Sequence, residues 1–303
     1  MDRPAELAWG AGSRGSRRLH DYWQLTKPRI VAAIAFTALV GMLLAAPELP
    51  RLDVVLFGVL GIWLAAASAA TLNQVLDRRL DAAMTRTRGR PLPRGHLSEG
   101  AAVAFAAALG IASMLILAFR VNLLTAALTL ASLIGYSVIY TVWLKHATPQ
   151  NIVIGGAAGA APPVLGWAAV TNSVDADALL LFLIVFTWTP PHFWALAIAR
   201  RDEYARVRIP MLPVTHGVPL TCQYIVLYTL LLSVVTTLPY LTGLTGRVYL
   251  AGEMLLNAGF LYRALSLKRG CNAQRAMRTF RYSIHYLLLL FTLLLVDHYL
   301  RVP

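Results

Sequence analysis

Leu52-Asp53-Val54-Val55-Leu56-Phe57-Gly58-Val59-Leu60-Gly61-Ile62-Trp63-Leu64-Ala65-Ala66-Ala67-Ser68-Ala69-Ala70-Thr71-Leu72 runs straight into Asn73-Gln74-Val75-Leu76-Asp77-Arg78-Arg79-Leu80-Asp81. The first part is apolar over the roughly 20 residues that a helix needs to cross a hydrocarbon core at about 1.5 Å per residue, and it ends in a cluster of charge. An apolar run closed by a charged link then recurs along the chain. Spans are expected at 30–46, 52–72, 101–119, 123–144, 152–170, 178–198, 223–241, 248–267 and 282–300. The fold class is therefore an all-α integral membrane protein built from nine transmembrane helices. Composition agrees: of 303 residues, 58% are hydrophobic and 14% charged, which excludes a soluble globular fold and leaves no material for a large extramembrane domain. Residues 1–29 read as a basic tail and 30–300 as a single membrane domain.

The net charge of +13 points to orientation and anionic headgroups rather than to nucleic acid. Along this arrangement 23 of the 27 Lys and Arg residues fall on one side, while Arg51, Arg120, Arg247 and Arg301 fall on the other. The amino terminus is therefore expected in the cytoplasm. Arg3, Arg14, Arg17, Arg18, Lys27 and Arg29 precede the first apolar run, so the amino-terminal stretch does not read as a cleavable signal. Cys222 and Cys271 both fall towards the cytoplasmic side, and no disulfide is expected.

Asn73, Asp77 and Asp81 recur at every fourth position, so a helix continuing through them sets all three on one stripe. Aspartates so spaced repel by a few tenths of a kcal/mol, and something cationic belongs between them. One answer is Mg²⁺, which takes oxygen ligands, uses one or two carboxylates and bridges to phosphate. Arg86, Arg88 and Arg90 would then grip the same phosphates through bidentate hydrogen bonds. The other answer is neutralisation by the adjacent Arg78 and Arg79. A second charged link carries Asp202 and Glu203, whose adjacency turns them in different directions; at most one ligates metal, and pairing with neighbouring arginines is the alternative. Tyr136 and Tyr140 share a face, followed by Lys145 and Asn151; the lysine either snorkels to the interface or donates to a diphosphate.

Gly155 and Gly159 have the spacing that lets helices approach closely, and the pairs Pro162-Pro163 and Pro190-Pro191 are each expected to kink or interrupt a helix. No P-loop ending follows the glycines. His192, beside Trp194, needs a partner at membrane depth: a haem iron or propionate, or a hydrogen bond to a neighbouring helix.

Asn73-xxx-Asp77-xxx-Asp81 with Met84 and Arg86-Thr87-Arg88-Gly89-Arg90-Pro91-Leu92-Pro93 resembles the UbiA-type intramembrane prenyltransferases. Residues 144–151, 155–159, 188–194 and 204–213 are similar to signatures of their protohaem IX farnesyltransferase (haem O synthase) subfamily, in order, from about Leu25 to Pro213. The resemblance implies nine helices around a central cavity capped by the two acidic links at the cytoplasmic side of the cytoplasmic membrane, which is the inner membrane if the source is Gram-negative. It assigns Asn73, Asp77, Asp81 and Asp202 to Mg²⁺ and catalysis, Arg86, Arg88, Arg90, Lys145, Tyr140 and Asn151 to the diphosphate, and His192 and Trp194 to haem. It implies farnesyl diphosphate and haem B as substrates, haem O as product, and a haem A synthase as a candidate partner. His146 stands where the subfamily is expected to carry Arg, and the second link lacks the spaced acidic pair of the superfamily. A prenyltransferase for a quinone precursor or other aromatic acceptor is the alternative in the same fold, and a secondary transporter the alternative from another class. Transporters keep their key charges near mid-membrane, whereas nearly all of these lie at one face.

Overall fold

A computed structural model describes residues 14–301; Arg3 and the rest of 1–13 lie outside the described residues. The elements are α1 (Arg14–Leu25), α2 (Pro28–Leu44), α3 (Leu52–Leu76), α4 (Arg78–Ala83), α5 (Glu99–Arg120), α6 (Leu123–Ile134), a π-helical segment Gly135–Leu144, α7 (Lys145–Ala147), α8 (Asn151–Ala160), α9 (Pro162–Thr171), α10 (Ala176–Ala199), α11 (Arg201–Arg206), α12 (Leu212–Thr215), α13 (Val218–Leu241), α14 (Arg247–Gly270) and α15 (Ala273–Arg301). Part of the expected tail is thus the helix α1, whose Tyr22 packs on Phe105 with ring centroids 4.9 Å apart while Arg17 and Arg18 stay exposed.

Among the described residues seven helical stretches are long and apolar enough to cross a membrane, and the pair Ser16–Leu25 and Pro28–Leu44, bent by 51°, brings the number to eight. The nine spans expected from the sequence differ at 248–267. Helix α14 has the length and packs against α13 and α15, but Glu253, Asn257 and Arg263 make it too polar to qualify by composition.

Lipid tails are as apolar as leucine, so close packing and hydrogen bonds, rather than expulsion of water, join the spans. Gly41 lies against the backbone carbonyl of Pro163, and Gly166 against that of Ala38, so α2 and α9 cross with their backbones in contact. Between α3 and α5, Ser68 Oγ donates to the Ala106 carbonyl and Ser113 Oγ to the Gly61 carbonyl, each at 2.7 Å. Leu56, Ile111, Phe119, Leu231 and Leu255 are exposed and form lipid-facing surface.

Two sequence expectations divide here. Gly155 lies under the Tyr140 ring and so admits the π-helical segment, whereas a Cβ added at Gly159 meets nothing within 4 Å. Spacing identifies small residues but not which face meets a neighbour. Pro162 opens α9 after a break at Ala161, as expected, whereas Pro190 and Pro191 lie inside an uninterrupted α10. Both are buried there, and packing against neighbouring helices holds the chain through them.

Adding one methyl group at the α2–α9 crossing should overpack a site that has no room for it. Gly166→Ala is expected to destabilise the protein by about 1–3 kcal/mol, seen as a lower thermal unfolding midpoint in detergent, whereas Gly159→Ala, helical and with open space around it, should not lower that midpoint.

Candidate active site

Helix α3 ends at Leu76 and α4 begins at Arg78, with Asp77 between them at φ −84° and ψ 1°. The bonds from Asp77 N to Asn73 O (2.9 Å) and from Asp81 N to Asp77 O (2.8 Å) carry the fourfold spacing across this join. Asn73, Asp77 and Asp81 therefore stack on one side, and all three are buried.

Cations reach them from three other segments. Lys145 Nζ donates to Asp77 Oδ2 at 2.6 Å, and Asn73 Nδ2 donates to the same oxygen at 3.0 Å. Arg90 donates to Asp81 Oδ2 at 2.6 Å, its loop turned back by Thr87 Oγ1, which donates to the Asp81 carbonyl at 3.0 Å. Lys27, in the break between α1 and α2, donates to Asn73 Oδ1 at 2.5 Å. The neutralisation considered for Arg78 and Arg79 thus comes from Lys145 and Arg90. Arg78 pairs with Glu99 instead, and Arg79 is exposed, because residues next to an aspartate on a helix point away from it.

The π-helical segment positions Lys145. π-turns insert an extra residue and occur often at functional sites. Here Thr141 Oγ1 donates to the Tyr136 carbonyl five residues back at 2.8 Å, and Asn73 Nδ2 donates to Thr141 Oγ1 at 3.3 Å, tying the segment to α3. The Tyr136 and Tyr140 rings stack with centroids 5.6 Å apart. Asn151 is buried and donates to the Lys145 carbonyl at 3.3 Å, so it holds the lysine's backbone, while its own Oδ1 is buried without a partner.

Arg86 and Arg88 are exposed on the loop after α4. Tyr204 of α11 is buried within electrostatic reach of Arg86 and Asp77; burial raises its hydroxyl above the usual range, and Arg86 opposes that shift. The second acidic link divides as adjacency requires. Glu203 is half-buried and accepts from Arg200 at 2.9 Å, whereas Asp202, expected among the metal ligands, is exposed and forms no ion pair among the described residues. The structure brings Asn73, Asp77, Asp81, Arg90 and Lys145 together and leaves Asp202 outside that group.

His192 and Trp194, expected to act together, diverge. The His192 ring lies between Trp188 and Phe280, with centroids 4.2 and 4.6 Å away, and its Nδ1 is 2.7 Å from Ser283 Oγ. Two positions on, Trp194 turns towards Tyr224 and Tyr228 of α13, and its Nε1 is buried without a partner.

Lys27 and Thr141 were not singled out by the sequence. A lysine before Pro28 reads as a flanking charge of the first span, and only its left-handed backbone (φ 51°) in the fold sets it apart.

The donor set fits Mg²⁺. No group of three His, Cys, Asp or Glu residues gathers as a metal cluster among the described residues. Yet Asp77 and Asp81 accept the side-chain donors of Asn73, Lys145 and Arg90 through Oδ2, which leaves Oδ1 of each without one of these donors. Mg²⁺ commonly uses one or two carboxylates and takes its remaining ligands from water and phosphate.

Comparison with known proteins completes the assignment. The chain is 60% identical over 280 residues to the protoheme IX farnesyltransferase of Nitrosococcus oceani, covering 92% of this chain and 94% of that protein. It shares its fold with a structure described for digeranylgeranylglyceryl phosphate synthase in membranes, with a TM-score of 0.78 at 17% identity, over 93% of this chain and 99% of that one. A UbiA homolog from Archaeoglobus fulgidus bound to DMAPP and Mg²⁺ superposes with a TM-score of 0.63 at 14% identity, over 91% of this chain and 99% of that one. Residues 34–293 match the UbiA prenyltransferase family, and the chain belongs to it.

Proposed function

We propose that this chain transfers the farnesyl group of farnesyl diphosphate to the vinyl group of haem B, with addition of water, giving haem O and diphosphate. The observation that carries this reading is the convergence of Lys27, Arg90 and Lys145 on Asn73, Asp77 and Asp81 at one buried end of an apolar bundle. The name of the Nitrosococcus relative supplies the acceptor. We further read α14 as the ninth span, the helices as surrounding a central cavity, and the aspartate end as cytoplasmic, following the split of Lys and Arg.

Asn73 Oδ1, Asp77 Oδ1 and Asp81 Oδ1 would hold Mg²⁺, which when bound draws electron density from the diphosphate and eases its departure. Lys145 and Arg90, already within 2.6 Å of the carboxylates, donate to diphosphate oxygens placed beside them. Arg86 and Arg88 close over the group from the exposed loop. Asn151 keeps the Lys145 backbone in place, and Tyr140, packed on Gly155, walls the site beneath it. Met84, Ile152, Trp194 and Ile198 form a common apolar cluster that excludes water while the allylic C–O bond breaks. A carbon–carbon bond then forms to the outer vinyl carbon of haem B, and hydroxide from water adds to the carbon beside the pyrrole, releasing a proton. His192 is held with Nδ1 on Ser283 and its ring stacked on Trp188, and its other ring nitrogen, Nε2, would be the atom offered to haem.

Asp77→Asn or Asp81→Asn, in membranes supplied with farnesyl diphosphate and haem B, should lower haem O formation by at least about a hundredfold. Chelation should do the same to the wild type, with recovery on adding Mg²⁺. Full activity in either variant, or after chelation, would overturn the metal assignment, and prenylation of an aromatic precursor in place of haem would move the enzyme to the alternative acceptor.

His192→Ala should weaken haem B binding several-fold, followed by the haem absorption band, while farnesyl diphosphate binding is retained. An unchanged haem titration would return His192 to packing alone.

A further inference from the structure

Helices α14 and α15 form a hairpin whose turn lies at the aspartate end of the bundle: Ala264, Leu267 and Ala276 share a buried cluster with Met84 and Tyr204. On its outer side is a cavity of about 490 Å³ lined by Arg263, Arg278, Arg281, Tyr282 and His285. No acid lines it, and among the described residues none of the three arginines forms an ion pair with a carboxylate. Three guanidinium groups gathered without a counter-charge repel one another, so the groove is complementary to an anion.

Its position identifies the anion. On a helix advancing about 100° per residue, Arg278, Arg281, Tyr282 and His285 form one stripe, while Ala276, Phe280, Ser283 and Leu287 form the opposite, inward face. The basic stripe therefore points away from His192, which touches Phe280 and Ser283, and serves a different face of α15 from any haem held at that histidine. At 29 residues α15 is about 43 Å long, enough to cross the core and both headgroup layers. Arg278 accordingly lies at headgroup depth, with Arg281 just beneath it and within snorkelling reach. Leu289, two turns deeper than Arg281 on the same stripe, is exposed, and Tyr262 and Ile284 are exposed on the flanks of the hairpin, so acyl chains meet an apolar surface there.

We propose that this groove binds the phosphodiester headgroup of an anionic membrane lipid, with Arg263, Arg278 and Arg281 donating to the phosphate oxygens and the acyl chains lying along the hairpin. Such a lipid would supply the counter-charge that the protein omits and fasten α14 to α15.

The full-length protein in nanodiscs containing phosphatidylglycerol and phosphatidylcholine tests this, with retained lipid counted by mass spectrometry after extraction. The wild type should retain phosphatidylglycerol in preference to phosphatidylcholine. Arg278→Gln/Arg281→Gln should lower that retention roughly thirtyfold, at about 1 kcal/mol per arginine, while Arg278→Lys/Arg281→Lys should keep most of it. No preference in the wild type, or equal retention in the glutamine variant, would overturn the proposal. Displacement of the lipid by millimolar inorganic phosphate would overturn it in favour of a free-phosphate site. Loss of haem B binding with lipid retention intact would overturn it in favour of a carboxylate site for haem.

Discussion

The burial of Asp77 beside Asp81 is the constraint around which the rest of this bundle is arranged. A carboxylate taken out of water without a partner is costly, and removing one partner of a buried pair costs about 3–5 kcal/mol. Three departures from regular structure each answer that demand. The chain breaks between α1 and α2 with Lys27 in the left-handed region, the fourth span becomes π-helical over Gly135–Leu144, and the loop after α4 folds back on itself. Each delivers a partner to the same group: Lys27 donates to Asn73, Lys145 to Asp77 and Arg90 to Asp81, while Thr141 of the π-helical segment accepts from Asn73. Strain that would be unexplained in a structural helix is accounted for here by the charges it serves.

Much of this was legible before any coordinates. Apolar runs report helices directly, because a backbone in lipid must satisfy its own hydrogen bonds, and the fourfold spacing of Asn73, Asp77 and Asp81 survives the join at Asp77. What spacing cannot convey is which of many cations closes on the stripe. Lys27 and Lys145 reach it from 46 and 68 positions away, and the nearer Arg78 and Arg79 do not. The same gap separates Gly159, which has the right spacing and meets no neighbour, from Gly41 and Gly166, which lie at a backbone crossing. Helix periodicity reports neighbours a turn apart on one element; contact between elements is decided by the tertiary fold.

Helix α14 shows how a polar helix becomes acceptable among apolar ones. Glu253 is buried, yet Thr236 and Thr237 donate to it from α13 and Asn257 from its own helix, while Tyr286 of α15 donates to Asn257 at 2.6 Å. Its partners are neutral donors on α13 and α14, and through Asn257 the network reaches α15, so the polar residues that lower the hydropathy of α14 also bind that helix to both neighbours. A window of hydropathy registers the carboxylate and misses the donors.

The buried acids at the two ends of the bundle are satisfied by different chemistry, and the difference separates structure from function. Opposite the candidate site, the buried Asp297 accepts from the backbone amides of Gly246 and Tyr249 at the start of α14. Those donors are fixed by the backbone, so the carboxylate they hold cannot be released without unwinding a helix. Asp77 and Asp81 are held by an ammonium and a guanidinium on flexible stems. Such groups can turn from a carboxylate to a diphosphate and keep an anionic partner throughout, at a cost of a few rotamers rather than of a buried, uncompensated charge. A pair of acids that must be both buried and exchangeable requires long cationic side chains, and among the described residues the aspartate end pairs its buried acids with them.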